Sequence, residues 1–241
     1  MSVYKTGKYD SWLLHANERN VLERVLHERK DEWLSPEGIS IVDVGCGTGA
    51  GSSRIFKVLD HYNVPFVYTG VEPFQEMLDK FPQRPETTLV KSTLEDFEPK
   101  EPADLVTAIH SLYYVADQTE ALRRMSRMGK RMLIVYHGER GINQVHQQFP
   151  KLVAKGKHLI STHNDITDKL DELGIKYDCR VYETQVDIRP CKEEGNVHGK
   201  NLITFFLEQE EISKETESRV REYLRTLPDF MTHEMGVIIT K

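Results

Sequence analysis

Val42-Asp43-Val44-Gly45-Cys46-Gly47-Thr48-Gly49 decides the fold of this chain. An apolar run from Ile39 leads into it, and a run carrying Ile55, Phe56, Val58 and Leu59 at helical spacing leads out. That pattern reads as a buried strand, a glycine turn and a helix. Glycines at such a junction permit a tight turn and let a ligand lie against bare backbone at the helix N-terminus.

Working outward, further strands are expected at Val64–Val71, Thr88–Val90, Asp104–Ile109 and Arg131–Tyr136. Helices fall between them near Gln75–Lys80 and around Leu122 and Met125. Strands alternating with helices imply parallel pairing through right-handed crossovers, with helices on both sheet faces. Downstream, Asp165–Leu173 reads as a helix that Asn164 or Asp165 can cap and Gly174 ends. A long strand, Lys176–Ile188, follows, then helices near Asn201–Gln209 and Lys214–Leu227, and a last strand, Gly236–Thr240. Upstream, Trp12–Trp33 reads as one helix, stopped by Ser35-Pro36-Glu37-Gly38.

The 241 residues suffice for one large domain, and the net charge of -6 argues against a nucleic-acid partner. Cys46, Cys179 and Cys191 are too scattered for a disulfide framework or a CxxC zinc site, so no metal is expected. Without an apolar leader or a spanning segment, a cytoplasmic, monomeric protein is expected. The organisation expected is a single domain over 1–241. It would comprise an N-terminal helical lid at 1–34, a cofactor-binding core at 35–138 and, at 139–241, the remaining strands with substrate-binding helices.

Gly45 to Ala50 alone also satisfies the GxGxxG/A pattern of dinucleotide-binding proteins. Three further features separate the readings. Asp43 stands two residues before the first glycine, Glu72-Pro73 closes the second strand, and Ser92-Thr93 follows the third. In this order they resemble the class I S-adenosylmethionine-dependent methyltransferases. That likeness implies a Rossmann-like α/β fold, a seven-stranded, mostly parallel sheet with an antiparallel last strand. It also implies S-adenosyl-L-methionine as cofactor and S-adenosyl-L-homocysteine as product. Asp43, Gly45, Gly47, Gly49, Glu72, Pro73, Ser92, Thr93 and Ile109 would hold the cofactor. Glu72 would bind the ribose hydroxyls.

Other stretches resemble a narrower group, the histamine N-methyltransferases and their homologues. Gly7-Lys8-Tyr9, Leu14-His15-Ala16-Asn17-Glu18, Leu112-Tyr113-Tyr114-Val115-Ala116-Asp117 and Leu173-Gly174-Ile175-Lys176-Tyr177-Asp178-Cys179 carry the likeness, and Gly199–Leu207 continues it. The resemblance implies that Glu18 reaches the amine substrate and that Tyr114 lines its pocket. His110 takes the place of a glutamine that contacts substrate. The family's asparagine ahead of the last strand has no direct counterpart, with Thr232, His233 and Glu234 standing nearest. Candidate catalytic residues are therefore His110 and Glu18, and candidate substrate contacts are Tyr9, Glu18, His110, Tyr113, Tyr114 and His233.

A small amine or imidazole acceptor methylated on nitrogen is the expected substrate. Other small-molecule or protein methylation, and a cofactor-binding module without turnover, are the alternatives. A nicotinamide-dependent oxidoreductase lacks a recognisable catalytic set here.

Overall fold

The computed structural model of the chain describes residues 7–153 and 160–241, so the first six residues of the expected lid lie outside it. The strands are β1 (Ile39–Val44), β2 (Phe66–Glu72), β3 (Thr87–Lys91), β4 (Ala103–Ile109), β5 (Gly129–His137), β6 (Tyr177–Asp187) and β7 (Phe230–Thr240). They form one sheet in the order β3-β2-β1-β4-β5-β7-β6. The β1–β2, β1–β4, β2–β3 and β4–β5 pairs are parallel. β7 runs the other way. Met132 N donates to Thr240 Oγ1 while Gly138 N donates to Glu234 O, so the register descends along β7 as it climbs β5. The fold expected from the glycine turn is the fold observed, antiparallel last strand included.

Helices α1 (Lys8–His15), α2 (Glu18–Glu28), α3 (Lys30–Trp33), α4 (Ser52–His61), α5 (Gln75–Leu78) and α6 (Gln118–Met128) occupy the first half. The second half carries α7 (Ile142–Gln148), α8 (His163–Glu172), α9 (Arg189–Lys192), α10 (Val197–Phe206) and α11 (Lys214–Arg225). Side chains cap several starts: Asp117 accepts from Glu120 N at α6, and Ser213 from Thr216 N at α11. Gly174 ends α8 at φ 69, as its position predicts. α8 itself begins at His163, ahead of the two expected caps, with His163 packed against Gly236.

The chain divides into two compact units. One comprises Arg19–Tyr136, His163–Val181 and Gly236–Lys241; its core gathers Val42, Val44, Val106, Leu122, Met125 and Ile134. The other comprises Met1–Glu18, His137–Thr162 and Tyr182–Met235, with a core around Trp12, Val145, Ile203, Phe206 and Leu224.

The expected helix over Trp12–Trp33 is three helices. Ala16 turns extended and pairs with Val186, and Asn17 exchanges hydrogen bonds with Gln185. The edge of β6 therefore outcompetes helix continuation at these two residues, and a new helix starts at Glu18. β7 also begins six residues earlier than expected, at Phe230.

Candidate functional site

β1 delivers the chain into the glycine turn, which belongs to the first unit. Gly45 lies at φ 70, and a Cβ there would overlap Ser111, whose hydroxyl donates to Val44 O at 2.6 Å. The turns after β1 and β4 are thus locked together through contacts that only glycine allows. Gly47 has the opposite surroundings: a Cβ would meet nothing within 4 Å, so its backbone is bare towards open space. Gly49 lies against Phe81, and Ile109, at the end of β4, lies against Gly51.

Glu72, at the C-terminal end of β2, is 7% exposed. Gly47 N donates to its Oε2 and Phe74 N to its Oε1, each at 3.1 Å. Burial raises its pKa, against the pull of those two N–H groups. Pro73 beside it is exposed.

Asp43 is buried behind the turn. It accepts hydrogen bonds from Ser52 Oγ at 2.6 Å, Tyr68 OH at 2.6 Å and Thr107 Oγ1 at 2.7 Å. Burial pushes its pKa up despite them. Asp43 therefore ties β1 to β2, β4 and α4, and the glycine turn rests on that knot. Cys46, in the same turn, is kept neutral by burial and by the Asp43 and Glu72 carboxylates. After β3, Thr93 Oγ1 donates to Asp96 Oδ2 and accepts from Asp96 N, and Ser92 Oγ donates to Thr93 O. These hydroxyls close a local turn.

His110 follows β4 at φ 53, a strained conformation for a non-glycine residue, pinned by its N–H donating to Val135 O. Its Nδ1 lies 3.1 Å from Tyr113 OH. Tyr113 is 2% exposed and packs at a tilt, ring centroids 4.1 Å apart, against Tyr136, whose hydroxyl accepts from Gln118. It is a buried partner of His110 and of the core, whereas Tyr114 is 43% exposed.

The second unit holds the remaining candidates. Glu18, the first residue of α2, is only 4% exposed. Its Oε1 lies 3.3 Å from Nε2 of His233, an inward-facing residue of β7. Trp12 meets the His233 ring edge-on at 5.3 Å, and His137 lies 4.9 Å away. Tyr9 lies 6.1 Å from Phe205, which stacks on Trp12 at 5.3 Å. The break between α1 and α2 explains the burial of Glu18: it places the acid at a helix N-terminus, where the backbone dipole favours a negative charge. Trp12 and His137 carried no sequence signal for this cluster, and neither did the Asp43 partners Ser52, Tyr68 and Thr107.

The methyltransferase domain family profile matches residues 13–183. The chain belongs to that family.

Histamine N-methyltransferase of Xenopus tropicalis is 24% identical over 241 residues, covering 88% of this chain and 82% of that protein. A Bacillus halodurans protein described as a methyltransferase has the same fold at TM-score 0.65 and 10% identity, over 89% of this chain and 97% of that one. Magnesium protoporphyrin IX methyltransferase of Synechocystis, solved with bound S-adenosylhomocysteine, aligns at TM-score 0.54 and 10% identity, over 92% of this chain and 83% of that one. S-adenosylmethionine is the cofactor of this methyltransferase. The turn fits it: Gly47 offers bare backbone facing open space, and each Glu72 oxygen keeps lone-pair capacity beyond its one N–H donor. Among the described residues, no helix is long and apolar enough to cross a membrane.

Proposed function

We propose that this methyltransferase acts on a nitrogen of a small amine or imidazole-containing molecule, histamine-like in charge and size. The observation that carries this reading is the buried Glu18 carboxylate 3.3 Å from His233, whose ring meets Trp12 and His137. A carboxylate taken out of water is costly unless a cation or hydrogen-bond donors repay its lost hydration. An ammonium ion does so. The likeness to histamine N-methyltransferase supports the same class of acceptor.

When bound, S-adenosylmethionine supplies an electrophilic methyl group on a sulfonium whose departure leaves a neutral thioether. Glu72, with the bare backbone at Gly47, holds the cofactor's ribose. Glu18 anchors the acceptor's cationic nitrogen and leaves another nitrogen to react. His110, held by Tyr113, hydrogen-bonds the acceptor or takes its proton. Alignment of the acceptor lone pair with the methyl carbon is worth roughly 7–11 kcal/mol and is the chief task of the chain. We place the enzyme in the cytosol, a reading supported by its three free cysteines.

A methyl-transfer screen over biogenic amines, imidazoles, histidine, phenols and small peptides, read by product mass, tests the proposal. Turnover of an amine or imidazole with a gain of one methyl on nitrogen is expected. Turnover confined to hydroxyl or polypeptide acceptors would overturn it.

A further inference from the structure

We infer that His233 is a positioning residue that orients the Glu18 carboxylate, and that Gly141 is the residue that holds the His233 ring in place. The inference rests on the amine-acceptor reading and deepens it. His233 is fully buried, and its Nε2 lies 3.3 Å from Glu18 Oε1. A buried imidazole placed this way is unusual for a residue that only fills space.

The surroundings fix the ring closely. Trp12 stands edge-on at 89° on one side and His137 lies at 65° on another. Gly141 closes a further side, because a Cβ there would overlap His233 Nδ1 and lie 2.8 Å from its Cβ and Cγ. Gly141 also sits at φ 90 and ψ -121, a conformation that side chains disfavour.

The segment that presents Gly141 is clamped in turn. Gly138 N donates to Glu234 O, and the Glu234 carboxylate accepts from Glu139 N, Arg140 N and Arg140 Nε. Asn143 Nδ2 donates to Gly138 O and to Ser161 O. Thr184 Oγ1 donates to His233 O and fixes its backbone on β7. A loop, two aromatic rings and a strand neighbour thus converge on one imidazole, an arrangement suited to holding a functional group in one orientation.

Nε2 faces Glu18 Oε1, and Nδ1 faces Gly141, so a proton carried on Nε2 points at the carboxylate. That approach sets the orientation in which the Glu18 carboxylate meets a cationic acceptor.

The test combines kinetics with histamine as the probe acceptor and long-range proton–nitrogen NMR of the histidine rings in the full chain. The His233 signal is assigned by its loss in His233→Asn. Expected are an Nε2-protonated ring in the wild type, a changed ring signal in Gly141→Ala, and an acceptor KM raised at least 5-fold with S-adenosylmethionine Kd unchanged. In the His233→Gly background, which lacks the Cβ, Cγ and Nδ1 that the added methyl would meet, Gly141→Ala adds less than 2-fold to the acceptor KM. If Gly141→Ala does not fold, Glu234→Gln loosens the same segment and is expected to move the same ring signal. An Nδ1-protonated wild-type ring, or a Gly141→Ala effect on acceptor KM that persists undiminished beside His233→Gly, overturns the inference. The expected ring behaviour without turnover of any amine supports the positioning and overturns the acceptor reading instead.

Discussion

On the proposed reading, the glycine turn and the Glu18 cluster solve two recognition problems with different materials. The turn uses backbone: Gly45 and Gly47, with Glu72 as its one acid, all within a single strand–helix–strand stretch. The cluster uses side chains drawn from remote segments, with Trp12, Glu18, His137 and His233 brought together by α1, α2, β5 and β7. A constant ligand is served well by backbone, whose geometry survives most substitutions. An acceptor that differs between relatives is served by side chains, which can be exchanged while the sheet stays intact. Cofactor and acceptor binding are accordingly separable by mutation.

Glu72→Ala is the strongest way to break the cofactor half. Each charge-assisted hydrogen bond to a ribose hydroxyl is worth about 1.5–3 kcal/mol, so losing two weakens S-adenosylmethionine by roughly 100-fold or more. Calorimetric titration checks this, and a loss below 10-fold would remove Glu72 from the ribose site.

Asp43→Ala attacks the support of the same turn. It strands the Ser52, Tyr68 and Thr107 hydroxyls in the core, for a loss of roughly 2–4 kcal/mol of stability, measured by denaturant unfolding. The wild-type acid also has a pH signature. Its folded pKa is raised, so from about pH 3.8 upward the unfolded chain releases this proton before the folded chain does, and the Asp43 contribution to stability falls with rising pH. Asp43→Asn should remove that part of the slope.

The contrast between the two regions also explains what the sequence made legible. β1, β4 and β5 are legible because buried parallel strands are near-continuous apolar runs, and the turn is legible because its glycines and acids sit at fixed short spacings. The start of β7 was hidden by its own alternation: Met231, His233 and Met235 point inward while Thr232 and Glu234 do not, so a polar inward residue masks the strand. The break at Ala16 was hidden because its cause, the edge of β6 at Gln185 and Val186, lies far along the chain. Glu18 consequently read as a surface acid on a long helix, and only the family likeness pointed to it. The hydrogen-bond partners of Asp43 (Ser52, Tyr68 and Thr107) come from other elements and leave no local pattern in the sequence.

Glu18→Gln sharpens the comparison from the acceptor side. Exchanging the carboxylate for an amide of the same shape should cost about 1.5–3 kcal/mol of acceptor binding, seen as roughly a 10- to 100-fold rise in acceptor KM. S-adenosylmethionine affinity should stay within about 2-fold by the same reasoning, because no bond to the cofactor is removed. Equal losses of both affinities would reject the separation.

Thr93→Ala should have the smallest effect, and it decides between two roles for one hydroxyl. Thr93 Oγ1 already donates to Asp96 Oδ2 and accepts from Asp96 N, so its hydrogen bonds close the turn after β3. A hydroxyl serving that turn alone contributes about 0.5–1 kcal/mol to local stability. Its loss would then lower the melting temperature slightly and leave S-adenosylmethionine Kd within about 3-fold. A hydroxyl that also held the adenine would lose a ligand bond, and Kd would rise by about 10-fold with little change in the melting temperature of the unliganded chain. The structure favours the first outcome, because both recorded bonds of this hydroxyl end on Asp96, three residues along the same turn.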